Sequence, residues 1–116
     1  MIMPFINLKT SAKISAENEE TLRKEFGKII TLIPGKTEAW LMLNFEDKCR
    51  MAFKGNADSD SAIVSVDLLG GASEKAYADM THAICTTVSY VLGVPFNRVY
   101  VKYGEYTHWG YAGENF

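Results

Sequence analysis

The apolar stripe Leu22, Phe26, Ile30 and Ile33 returns, at an offset of about sixty residues, as Met80, Ile84, Val88 and Val91. Within each stripe the steps are three and four residues, so each belongs to a helix with one face that must be buried. Strand-like segments bracket both helices. Pro4 to Thr10 precedes the first, with Pro4 confined to a strand start by its missing N–H, and Ala39 to Phe45 follows it. Ala62 to Leu68 precedes the second, and Arg98 to Tyr103 follows it. Ser15 ahead of Glu17, Glu19 and Glu20, and Ser73 ahead of Glu74, are helix-start signals. A hydroxyl there accepts free N–H groups while carboxylates face the positive end of the dipole. Pro34-Gly35, and later Gly93 with Pro95, stop the helices.

Two βαβ units fused edge to edge predict an α+β fold, an α/β sandwich in which a four-stranded mixed sheet carries both helices on one face. With 116 residues, 47% of them hydrophobic, there is core enough for one domain and not two. Residues 1–116 are therefore expected to form a single domain, with pseudo-repeats at about 4–46 and 61–104 and a C-terminal tail over 105–116. The segment Ala39 to Phe45 is apolar enough that both its faces are expected to be covered. Met51-Ala52-Phe53 interrupts the polar stretch Glu46 to Asp60 and is expected to be a short edge strand or part of a hairpin. One sheet face is left bare, and Trp40, Met42, Val64, Val66, Val99 and Val101 predict that other subunits cover it.

Charge and motif content exclude several classes of function. Twelve Lys and Arg against fourteen Asp and Glu leave a net charge of −2, too weak a field to hold nucleic acid. Cys49 and Cys85 cannot build a multi-bridge framework, and with His82 and His108 they have no ligand spacing, so neither a metal nor a cofactor is expected. No apolar run approaches the roughly 18 residues of a membrane span, and no signal-peptide pattern opens the chain. The expectation is a soluble, cytoplasmic protein without a membrane partner. Phosphate loops, nucleophile elbows, zincin motifs and dinucleotide fingerprints are all absent. Gly70-Gly71 reads as a bend rather than an anion cradle, both histidines as structural or surface residues, and Cys85 as a small core residue. Three features remain: Pro4 before a strand, Lys36 in a Pro-Gly-Lys-Thr turn, and the aromatic, glycine-rich tail Tyr106 to Phe116.

These residues resemble the macrophage migration inhibitory factor family of the tautomerase superfamily. The resemblance covers nearly the whole chain. It runs through Pro4-Phe5-Ile6, Gly35-Lys36, Met51-Ala52-Phe53 with Lys54-Gly55, Leu69 to Gly71, Asn97 to Val101, and a Trp109-Gly110-aromatic ending closed by Phe116. It implies two βαβ units in a homotrimer whose sheets enclose a central channel. It also implies a cofactor-independent keto–enol tautomerase acting on small aromatic α-keto acids such as phenylpyruvate. The base would be Pro4, exposed as the N-terminus when the initiator methionine is removed. A free α-amino group titrates at about 7.7–8.0, and apolar burial beside a cation lowers that value, which makes a neutral base at pH 7. By the same resemblance Lys36 would hold the substrate carboxylate and the Leu68 backbone N–H would face it. Tyr100 from a neighbouring subunit, Tyr111 and Phe116 would line the pocket, and Lys102 would stand at its rim.

Departures from the family pattern matter to this expectation. Met1-Ile2-Met3 precede Pro4, where the family has a single methionine. Translation from Met1 leaves Pro4 an internal tertiary amide without basicity, and that form is expected to be weak or inactive. Translation from Met3 exposes the base. Lys102 replaces a frequent asparagine, Tyr111 a frequent tryptophan, and no Cys-x-x-Cys stands near Ala62 to Ser65 for thiol–disulfide chemistry. The alternatives on the same scaffold are a non-enzymatic, cytokine-like interaction factor with a protein receptor and a blocked Pro4, and a small-molecule-binding module without turnover. Family members can also be exported without a signal peptide, so a secreted location stays open beside the cytoplasmic one.

Overall fold

Strict alternation decides the first strand. In β1 (Pro4–Thr10) Pro4, Ile6, Leu8 and Thr10 are buried while the residues between them are not. The same parity recurs in β3 (Ala62–Leu69), which buries Ala62, Val64, Val66 and Leu68. The computed structural model describes residues 3–116, and in it these two strands pair antiparallel at the centre of a four-stranded sheet. At the edges lie β2 (Met42–Glu46), parallel to β1, and β4 (Val99–Tyr106), parallel to β3, giving the order β2-β1-β3-β4. A short hairpin, β5 (Gly110–Tyr111) with β6 (Glu114–Asn115), forms the tail.

The parallel pairings require crossovers, and the two helices supply them. In α1 (Ala16–Ile29) the Ser15 hydroxyl accepts from the Asn18 N–H at 3.0 Å, and in α2 (Glu74–Leu92) Ser73 does the same for Ala76 at 3.1 Å. The last turn of the first helical segment tightens into a 3-10 turn over Ile30–Leu32, and α2 ends at Gly93 in the left-handed conformation. Leu22, Phe26 and Ile30 from one side and Met80, Ile84 and Val88 from the other are fully buried against Ile6, Leu8, Val64, Val66 and Leu68. Each such side chain contributes about 1.5–3 kcal/mol by leaving water, so the paired stripes hold the two units on one core.

Three expectations need correction. The segment Ala39 to Phe45 is not one strand: Glu38–Trp40 form a 3-10 turn and β2 starts only at Met42. Nor are both its faces covered, because β2 is an edge strand with Met42, Asn44 and Glu46 exposed and only Leu43 and Phe45 turned toward the core. Of the two forms expected for Met51-Ala52-Phe53 the hairpin is the one found: Phe53 makes a single antiparallel bridge to Asn56 across a tight turn and no edge strand forms. Val64 and Val66 lie fully buried under the helices, with Val99 and Val101 packed against the same core, so they do not belong to the bare face. That face instead carries a polar row running across all four strands, Asn44, Asn7, Ser65 and Lys102.

The turn from β3 into α2 is tied to β4. Gly70, at φ +85°, gives its N–H to the Tyr106 carbonyl at 2.9 Å, which makes the Gly70-Gly71 pair a committed bend and not an anion cradle. Tyr77 donates to the Glu105 carboxylate at 2.6 Å and accepts from the Ala72 N–H at 3.1 Å. Desolvation, then the bond to Glu105, pushes the Tyr77 phenol up to about 12. The folded chain thus binds this proton more tightly than the unfolded chain, whose phenol titrates at about 10. The stabilisation is complete below pH 10 and is lost as pH rises toward 12. Urea midpoints measured from pH 9 to 12 will fall across that window, and Tyr77→Phe will flatten the fall; parallel curves for the two proteins would contradict this.

Candidate active site

Pro4 opens β1 directly opposite Leu68 in the antiparallel ladder, so the N-terminal end of one central strand meets the C-terminal end of the other. Both residues are buried. Pro4 lines a cavity of about 740 Å3 whose walls are mostly apolar: Met3 and Phe5 on its own strand side, Trp40 and Met42 at the β2 edge, and Trp109 and Tyr111 from the tail. The tail is held in place by its own hairpin. Ala112 and Gly113 both take left-handed φ angles at the turn, and the Phe116 N–H reaches the Trp109 carbonyl at 2.9 Å. The rings form a connected wall, with Tyr111 edge-on to Trp40 at 5.4 Å between centroids and Phe116 at 6.3 Å from Tyr111.

Lys36 is not the solvated turn charge that its sequence context allows. Only 4% of it is exposed, its Nζ donates to the Leu69 carbonyl at 3.3 Å, and no carboxylate is ion-paired with it among the described residues. Burial lowers its pKa below the usual lysine value. Leu69 directly follows the residue paired with Pro4, so the cation is held at the same end of the sheet as the proline. Lys36 does not line the apolar cavity itself; it is held at the same end of the sheet as Pro4, a partly desolvated positive charge with no carboxylate ion-paired to it among the described residues. An anion with an apolar body fits both features together.

The sequence matches the macrophage migration inhibitory factor (MIF) family over residues 3–115. The chain belongs to the MIF family. Solved structures of its members superpose on it closely. MIF2 of Leishmania major is 30% identical, with 98% of this chain and 97% of that one covered and a TM-score of 0.91. The MIF of Toxoplasma gondii is 21% identical over 97% of this chain and 99% of that one, with a TM-score of 0.88. The MIF-like protein of Entamoeba histolytica is 21% identical over 98% and 99%, with a TM-score of 0.86. Among curated proteins no sequence matches.

Of the residues that the MIF resemblance singles out, the fold brings Pro4, Leu68, Lys36, Tyr111 and Phe116 to one end of the sheet. It does not bring Tyr100 and Lys102 there. Their partners on β3 are Ile63 and Ser65, five and three residues before Leu68. At the rise of a strand this is about 17 Å and about 10 Å from the level of Pro4. Both are exposed and point from the helix-free side. Trp40, Trp109 and Met42 are cavity residues that sequence reasoning missed. A tryptophan four residues after the Gly-Lys turn and two before the strand was the available signal, obscured for Trp40 by its inclusion in the strand.

Proposed function

We propose that the protein is a homotrimeric keto–enol tautomerase of phenylpyruvate-type acids that needs no cofactor. The observation that carries this reading is a buried proline in an indole- and phenol-walled cavity, with a buried lysine at the same end of the sheet that has no ion-paired carboxylate among the described residues. With Pro4 as a free N-terminus, its secondary amine takes the proton beside the substrate's carbonyl and returns it to the enol oxygen, or runs in reverse. Lys36 holds the carboxylate and offsets the charge that develops on the enolate. Trp40, Tyr111 and Phe116 receive the aryl ring and exclude water. The family match beginning at Met3, one residue ahead of Pro4, supports translation from Met3 followed by trimming.

Trimerisation completes the site in this reading. Tyr100 and Lys102, too far from their own Pro4, reach the cavity of an adjacent protomer, and the polar row Asn44, Asn7, Ser65 and Lys102 faces a central solvent channel. Sedimentation equilibrium at micromolar concentration will return three times 12.9 kDa. A monomer would leave the cavity without those residues and remove this part of the reading. Activity is tested by following enol–keto conversion of phenylpyruvate with the form that begins at Pro4.

A second reading has an observation of its own. Met3 is 4% exposed and lines the same cavity. While it stays attached, the Pro4 nitrogen is a tertiary amide and Met3 forms part of the wall. In that form the trimer serves as a non-enzymatic factor that binds a protein receptor. A form retaining Met3 that binds a partner unchanged by Lys36→Ala would support it.

A further inference from the structure

We propose that Phe53 and Arg98 are positioning residues that pre-orient Tyr100 for the cavity of an adjacent protomer; this rests on the trimeric reading of Tyr100 given above. Phe53 lies in the loop between β2 and β3, where it exchanges both backbone hydrogen bonds with Asn56, at 2.8 and 3.1 Å. The two residues between them, Lys54 and Gly55, have φ angles of +53° and +80°, the tight turn that matches the twist of a hairpin. The Phe53 ring therefore has a fixed base. Its face or edge meets Tyr100 with centroids 5.3 Å apart and ring planes at 87°, the perpendicular geometry favoured by the aromatic quadrupole.

Arg98 joins this hairpin to the root of the strand that carries Tyr100. Its Nε donates to the Asp60 carbonyl at 3.1 Å and to the Ser61 hydroxyl at 3.0 Å. Its Nη1 and Nη2 reach the Asn56 side chain at 3.2 Å and the Asn56 carbonyl at 3.1 Å. The same guanidinium lies 5.5 Å from the Phe53 ring centroid, with the Lys54 ammonium at 5.7 Å. A planar fork is suited to this task, since it serves both ends of the loop at once. Tyr100 nevertheless remains 58% exposed. Its own protomer's cavity lies at the other end of the strand, yet the ring is held by Phe53, whose own ring is flanked by two cations. A surface ring with a set direction loses less conformational freedom when it docks, and so binds more tightly than a free one.

The test uses the form beginning at Pro4 and two readouts, the calorimetric Kd for phenylpyruvate and the KM and kcat of tautomerisation. Phe53→Ala is expected to raise Kd and KM about three- to tenfold, the range of an aromatic pair, with kcat within about twofold. Phe53→Tyr restores the parent values, and Arg98→Lys shifts Kd in the same direction by less. In a Tyr100→Ala background Phe53→Ala adds nothing further, because both changes remove one interaction. Additive effects, an unchanged Kd in Phe53→Ala, or a parent that fails to bind phenylpyruvate each overturn the proposal. A parent that binds with this coupling but does not turn over overturns the tautomerase reading and leaves the positioning role intact.

Discussion

The chain beginning at Pro4 will interconvert enol and keto phenylpyruvate, and the same chain retaining Met1 to Met3 will do so about a hundredfold to ten-thousandfold more slowly. That interval is what a positioned general base contributes. The physical cause lies in one bond. An amide nitrogen has its lone pair delocalised into the carbonyl, so a Pro4 linked to Met3 accepts no proton near neutral pH. A freed Pro4 is a secondary amine at the start of β1, buried and facing tryptophan and tyrosine rings, where the neutral form is favoured over the charged one. Pro4→Gly in the freed form will lose most of the rate while leaving the oligomeric state unchanged. Stopped-flow or spectrophotometric rates on three samples of verified mass decide the matter. Equal rates with and without the three leading residues would remove Pro4 from the mechanism.

Lys36→Met will raise KM for phenylpyruvate by about two orders of magnitude while leaving the protein at least as stable as its parent. The first half follows from the setting of Lys36. A substrate carboxylate that loses its only desolvated cation leaves a charge unpaired in an apolar site, a loss of about 2–5 kcal/mol. The second half follows from the absence of any ion-paired carboxylate among the described residues, so that methionine keeps the aliphatic stem and removes a charge that folding must desolvate. Its pH signature has a definite sign. Burial lowers the Lys36 pKa, so the folded chain holds this proton less tightly than the unfolded chain. The resulting penalty is complete below the lowered pKa and vanishes as pH rises toward the ordinary lysine value of 10.5, so stability grows through that window. The kcat/KM profile of the parent will rise as the Pro4 amine loses its proton and fall again as Lys36 loses its own. In Lys36→Met the falling limb will be missing. A profile identical to the parent's would show that the carboxylate is held elsewhere.

Particular residues show where sequence reasoning reaches and where it stops. Leu22, Phe26, Met80 and Ile84 announce their burial because a helix repeats every three to four residues, and only one face can meet a core. Pro4 to Thr10 matches its strand because its apolar residues alternate. Val64 and Val66 were harder. They alternate with Ser65 and Asp67, so the sequence shows that they share one face of β3, but only the packing of the helices on the sheet decides which face is covered. Trp40 was misplaced because a single 3-10 turn before a strand has no period to read. Phe53 and Arg98 stand in stretches that the resemblance picks out, but their partnership carried no local signal, since their contacts join residues more than forty positions apart.

The sequence by itself determined the two helices, their order between strands, the doubled βαβ plan and the family, because periodicity, capping and turn chemistry are properties of neighbouring residues. The tertiary structure alone decided that Lys36 is buried beside the Pro4 end of the sheet, that Trp40 and Tyr111 wall one cavity, and that Tyr100 faces away from it. The reason is physical: desolvation and juxtaposition depend on which segments far apart in the chain the fold packs together, and Lys36, Trp40 and Tyr111 lie outside the four-stranded sheet, in a loop, a 3-10 turn and a tail hairpin that have no long period to read.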